Sequence, residues 1–182
     1  MERITALCLV AHPDDCVIFA RPFIEAHPEF EWSILYLTYT ETDPRGKELA
    51  DYWHKRNINT IHLGFVDTYL DMENCKISFD TEQAAELMLT HASRYDLILT
   101  HNEDGDYGHI HHCFVSEVAR RLKKPIVYFA SYEQHNAEYR VDTAIDIDEL
   151  PLHREVVLQF MDIDTGRYYI SDTAKELLNG KS

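Results

Sequence analysis

The chain has 182 residues, with 45% hydrophobic and 27% charged, an ordinary globular balance with length enough for a sizeable core. Its 32 acidic against 17 basic residues give a formal net charge of -15. That charge repels phosphate, which argues against a nucleic-acid or anionic-membrane binder. The first apolar run, of about seven residues, is too short for a signal core or a membrane span. Cys8, Cys16, Cys75 and Cys113 form no CxxC pair and read as reduced thiols, so a cytoplasmic location is expected.

Short apolar runs alternate with amphipathic ones. Ile4–Val10 predicts a buried strand, followed by a helix from about Asp15 to His27. Trp32–Tyr39 predicts a second strand, Gly46–Arg56 a helix, and Thr60–Leu63 a short strand. Thr81–Arg94 has apolar residues at Ala84, Leu87, Met88 and Ala92 and reads as a helix. Asp96–Thr100 predicts a strand, Ile110–Lys123 a helix, and Ile126–Phe129 a strand. Beyond about Tyr132 the pattern is irregular. Val141–Ile147 is expected to be a strand, Pro151–Met161 a helix with proline at its first position, and Ser171–Leu178 a terminal helix. Continuous rather than alternating apolar strands imply burial on both faces. With the repeated strand–helix order they predict an α/β fold: a Rossmann-like, doubly wound, mostly parallel sheet in a three-layer sandwich. No GxGxxG follows the first strand, so no dinucleotide cofactor is indicated. Residues 1–182 are expected to form one domain, with a core to residue 132 and a short tail from 133.

In such sheets reacting groups gather at the carboxyl ends of the strands. Three polar clusters fall there: His12-Pro13-Asp14-Asp15, the stretch Thr38–Arg45, and His101–His112. An imidazole and two carboxylates at the end of a buried strand are costly without a partner, and a divalent cation supplies one. A plain turn with Asp15 as a helix cap fits the same four residues. In Gly108-His109-Ile110-His111-His112, the glycine opens a helix, and His109 and His112, three apart, share one side of its first turn. A hydrolytic zinc site takes three protein ligands and leaves the fourth position for water. His12, Asp15 and His112 would supply a set of that kind, leaving Asp14 beside the metal as a general base.

These residues resemble those of the PIG-L/LmbE-like metal-dependent de-N-acetylases. Ala11–Asp15 stands as that family's AHPDD box, and Gly108–His112 is similar to its GH-x-x-H box. Between them, Leu37-Thr38 with Arg45-Gly46-Lys47-Glu48 is similar to its LT…R-x-x-E stretch, and Leu63–Asp67 to its LG-x-x-D stretch. The likeness runs over roughly residues 3–130. It implies a hydrolase that removes an N-acetyl group from an amino sugar or a GlcNAc-type conjugate. The ion would be Zn2+ or Fe2+, held by His12, Asp15 and His112, with Asp14 as base. His109 and Tyr107 would stabilise the oxyanion or assist proton transfer. Arg45 and Asp67 match positions that contact substrate hydroxyls; both also read as ordinary helix-start and loop residues. The distal box is usually HPDH and here is HIHH, so the carboxylate that would orient His109 is replaced by His111; the change would weaken the basicity or positioning of His109, or let His111 meet substrate or metal itself. Two alternatives remain open: an amidase on a larger thiol or sugar amide conjugate, and a catalytically silent metal- or sugar-binding module. The expected partner is a small molecule; nothing in the sequence bears on oligomeric state. His101 stands near the site at the end of a strand, and Tyr132, Glu133 and His135 follow the next strand toward the same edge. His27, His54, His62, His91 and His153 show no partner in the sequence and read as ordinary structural residues.

Overall fold

The computed structural model describes residues 3–71, 76–131, 138–142, 144–161, 163 and 165–180. Strands β1 (Thr5–Val10), β2 (Glu31–Thr38), β3 (Asn59–Phe65), β4 (Tyr69–Asp71), β5 (Lys76–Ile77), β6 (Leu97–Thr100), β7 (Ile126–Phe129), β8 (Tyr139–Arg140) and β9 (Arg167–Ile170) form two sheets. The larger runs in the order β3-β2-β1-β6-β7-β9-β8, and β4 pairs with β5 alone. The first five strands of the large sheet are parallel; β9 runs antiparallel to β7, and β8 to β9. The strand order reverses between β1 and β6, so the crevice for a ligand opens at the carboxyl ends of those two strands.

The continuous apolar strands are explained by burial on both faces. Along β1, Ala6, Cys8 and Val10 join one core cluster with Phe19, Phe23 and Trp53; Leu7 and Leu9 join the other with Met88, Val115 and Val118. Helices therefore cover both faces, as expected. Capping residues fix their starts: Asp43 accepts from Arg45 N, Asp80 from Glu82 N and Gln83 N, and Ser171 from Ala174 N.

The expected helix from Asp15 begins two residues earlier, because Pro13 at the first helical position needs no backbone donor. Pro13–Asp15 leads into a wider π turn over Cys16–Ala20 before Arg21–Ala26 resumes the α form. Turns of this kind recur beside functional sites. The tail differs most from expectation. The predicted strand over Val141–Ile147 is replaced by β8 upstream and a 3-10 turn at Ile147–Glu149. Val141 N still donates to the Gly166 carbonyl at 2.8 Å, but further on Arg21 Nη1 takes the Ala144 carbonyl at 2.9 Å and Asp146 caps the turn by accepting from Asp148 N. The predicted helix over Pro151–Met161 shrinks to Arg154–Gln159, since the Glu48 carboxylate accepts from Leu152 N and His153 N and fixes the residues before it as a turn. The antiparallel strand β9 was not anticipated.

Gly46, in the Pro44–His54 helix, has no room for a side chain: an added Cβ would meet the Thr40 carbonyl oxygen at 2.2 Å. Gly46→Ala should therefore push the helix off the loop after β2 and destabilise the fold by about 1–3 kcal/mol. Calorimetry should read this as a melting point lower by several degrees, at roughly 2–4 °C per kcal/mol for a chain this long.

Candidate metal centre

β1 ends at Val10, and the chain turns through His12 in extended conformation (φ -120°, ψ 157°) into the helix at Pro13. The turn folds Asp15 back on the strand end, so that Asp15 Oδ2 accepts the His12 backbone N–H at 2.8 Å. That oxygen lies 3.2 Å from His12 Nδ1 and 3.3 Å from His112 Nε2, and the two nitrogens are 3.2 Å apart. A tetrahedral zinc with bonds of about 2.0–2.1 Å has ligand atoms about 3.3–3.4 Å apart, so the three atoms fit one ion. All three residues are buried. The charges around them act on one another strongly. Burial lowers the proton affinity of His12, but Asp15 and Asp67 outweigh it and carry its pKa to about 9. Burial would raise Asp15, but His112, His101 and His12 hold it well below the usual carboxylate range.

Each candidate histidine ligand is backed by a carboxylate on its far nitrogen. His112 Nδ1 lies 2.9 Å from Asp106 Oδ2, and His12 Nε2 lies 3.1 Å from Asp67 Oδ1. Such partners fix the tautomer that turns the other nitrogen toward an ion. Asp106 is itself set by a tight loop. Its backbone stands at φ 63°, ψ -65°, a rarely populated conformation, and its N–H donates to Asn102 Oδ1. The same carboxylate oxygen contacts His101 Nδ1. His101 Nε2 accepts the Ala11 N–H at 3.1 Å, which requires its lone pair. His101 therefore joins the cluster as a buried prop, although its Nε2 is also 3.4 Å from Asp15. Burial opposes a second proton on its ring, while Asp106 and Asp15 favour one.

Asp14 stands next to Asp15 and faces Arg45, whose Nη2 lies 3.7 Å from Asp14 Oδ2. Burial first, and the neighbouring Asp15 next, raise its pKa above the ordinary carboxylate value, while His12 and Arg45 oppose the rise. Arg45 also reaches the Tyr39 hydroxyl, which donates to Asp67 Oδ2 at 3.1 Å. His109 caps the Ile110–Arg121 helix, its Nδ1 accepting from His111 N, so its ring proton sits on Nε2. Burial, then His112 and His12, lower its pKa to about 3, and the ring is neutral. Tyr107 is 47% exposed at the rim, its ring against His109 and His112.

Residues 7–123 match the profile of the GlcNAc-PI de-N-acetylase family, PIG-L. The chain belongs to that family. An uncharacterised protein of Acanthamoeba polyphaga mimivirus is 24% identical over 145 residues, which is 71% of this chain and 62% of that protein; the chain thus spans less than two thirds of that relative. Among solved structures, N,N'-diacetylchitobiose deacetylase from Pyrococcus horikoshii superposes with a TM-score of 0.53 at 15% identity, covering 97% of this chain and 74% of that one. GalB, the 4-carboxy-2-hydroxymuconate hydratase of Pseudomonas putida KT2440, gives 0.54 at 17%, covering 87% and 78%. At such identities the likeness is one of fold, and that fold carries both a deacetylase and a hydratase.

The PIG-L match takes in the candidate site residues from His12 to His112. Contacts link His12, Asp14, Asp15, Arg45, Asp67, Tyr107, His109, His111 and His112 into one cluster. Two have close partners within the cluster. Asp67 spends its carboxylate on His12, His111 and Tyr39. His111, expected at the substrate or the metal, is fully buried, its Nδ1 3.2 Å from His12 Nε2. The carboxylate lost from the box leaves His109 oriented by a backbone amide instead. Asp106, overlooked in the sequence, stands six residues before His112 in a loop already crowded with acids. His153, which showed no sequence signal, is buried with Nδ1 2.6 Å from Glu48 Oε2, tying the tail to the helix that carries Arg45. Tyr132, Glu133 and His135 lie outside the described residues, as does Cys75. Among those described, no helix is long and apolar enough to cross a membrane.

Proposed function

We propose that this PIG-L-family chain is a metal-dependent N-deacetylase acting on an amino sugar or a GlcNAc-type conjugate. His12, Asp15 and His112 would hold the ion, with Zn2+ expected and Fe2+ accepted by the same imidazole and carboxylate donors. One observation carries the reading: donor atoms from two motifs 100 residues apart converge to 3.2–3.3 Å, with Asp14 beside them and outside the set. When bound, the ion would acidify a water and polarise the amide carbonyl.

The chain's own groups supply the rest. Asp14, whose proton affinity burial has raised, takes the proton of the attacking water and passes it to the departing amine. Attack forms the C–O bond and leaves negative charge on the carbonyl oxygen; collapse of that oxyanion breaks the amide C–N bond, giving acetate and a free amine. His109 stays neutral and offers its Nε2–H to the oxyanion, and the Tyr107 hydroxyl offers a second donor from the rim. Arg45 faces the mouth beside Tyr39 and is the group for substrate hydroxyls.

The test is acetate release from GlcNAc conjugates, including GlcNAc-phosphatidylinositol, by protein loaded with Zn2+ or Fe2+ and by the same protein stripped with chelator. Release that depends on the ion is expected. A fully loaded protein that binds these compounds and releases no acetate would point to a silent binding module instead.

A further inference from the structure

We propose that the far side of the His12 ring belongs to a second cation site, formed by His12 Nε2, Asp67 Oδ1 and His111 Nδ1. The inference rests on the reading that His12 Nδ1 serves a first ion, and it adds a second to the same centre. His12 Nε2 lies 3.1 Å from Asp67 Oδ1 and 3.2 Å from His111 Nδ1, and the last two atoms are 3.6 Å apart. These spacings are close to those of the first nest, and the three residues form a group whose donors lie within reach of one ion. The two nests share one imidazole, one nitrogen each.

Three features suit this nest to a cation. His12 Nε2 faces both the Asp67 carboxylate oxygen and the His111 ring nitrogen at hydrogen-bond distance, so three ligand-type atoms converge on one point. The Tyr39 hydroxyl donates to Asp67 Oδ2, leaving Oδ1 for the nest. His111 is fully buried with its ring against Phe79 at 5.4 Å, whereas the Asp67 side chain is 27% exposed and opens a path for an ion and its remaining waters. Two imidazoles with one carboxylate suit a borderline ion, Zn2+ or Cu2+, better than Mg2+ or Ca2+. An ion entering the nest takes the Nε2 lone pair of His12, and the proton held there leaves to solvent. The carboxylates of Asp14, Asp15, Asp67 and Asp106 and the bridging ring offset the charge of two ions, with Arg45 the nearest fixed cation at Asp14. His111 stands where HIHH departs from HPDH, so the nest comes with that departure.

The experiment is equilibrium dialysis of the full chain against rising free Zn2+, with elemental analysis, on wild type, His111→Asn and Asp67→Asn, each checked for folding by circular dichroism. Wild type is expected to saturate at two ions per chain, and each variant at one. Saturation of wild type at one ion overturns the second site and leaves the deacetylase reading standing. No bound ion at all overturns both. Two ions in wild type and also in both folded variants would put the second ion elsewhere, on surface acids or histidines, and overturns the site as drawn. Loading wild type with Cu2+ gives an independent readout: two coppers bridged by one imidazole couple magnetically and lose part of their electron paramagnetic resonance signal, whereas isolated coppers keep it.

Discussion

Asp14→Asn is expected to lower the rate of acetate release by about 10²–10⁴-fold, the usual contribution of a positioned general base. The ion should stay bound, because Asp14 lies outside the three donors that approach one another within 3.3 Å. Metal content separates this outcome from damage to the site. So does stability. An acid whose folded pKa is raised is one whose charge the fold disfavours, here through burial and the adjacent Asp15. Asparagine keeps the shape and removes that charge, so the melting point of the metal-free variant should equal or exceed that of wild type. A variant with full metal, unchanged melting and undiminished turnover would remove Asp14 from the mechanism. Undetectable turnover in both proteins would favour a binding module, in which Asp14 has no work to do.

The parts of this molecule that could be read from its sequence are those where local pattern and tertiary burial agree. β7 at Ile126–Phe129 and the start of the Ile110–Arg121 helix fall where expected, because an apolar run flanked by turn signals has one reading in a doubly wound sheet. β9 was missed although its alternation is present: Tyr168 and Ile170 are buried while Tyr169 is exposed. Four residues are too few for a period-two signal to stand out. The tail helix and strand were misjudged because long-range partners decide them, Glu48 for the turn at His153 and Arg21 for the carbonyl of Ala144. The same holds at the site. His12, Asp15 and His112 announce themselves by local crowding of ionisable groups. Asp106 does not, and His101 shows only its place near the site, since their value lies in which nitrogen of which ring is faced, and that follows only from a strained loop and the register of β1 beside β6.

His112→Ala should reduce bound zinc from about one ion per chain at the first site to nearly none, whereas Asp106→Asn should only weaken it, by about 10–100-fold. The contrast comes from geometry. His112 offers Nε2 to the nest and is held through Nδ1 by Asp106; asparagine at 106 removes the charge behind the ring and leaves the ligand in place. Raising free Zn2+ should therefore restore full occupancy and turnover to Asp106→Asn and to His112→Ala neither. Ion binding to the native state also raises the melting point by mass action, so the zinc-dependent rise should vanish in His112→Ala and shift to higher zinc in Asp106→Asn. His109→Ala completes the series. His12, His109 and His112 also come close enough to share an ion, and this set competes with the one containing Asp15. If Asp15 is the third ligand, His109→Ala keeps its zinc and loses rate alone, because a neutral donor to the oxyanion has gone. Loss of zinc from His109→Ala would transfer His109 into the coordination set and leave Asp15, with its oxygen already bonded to the His12 amide, as the residue that shapes the turn.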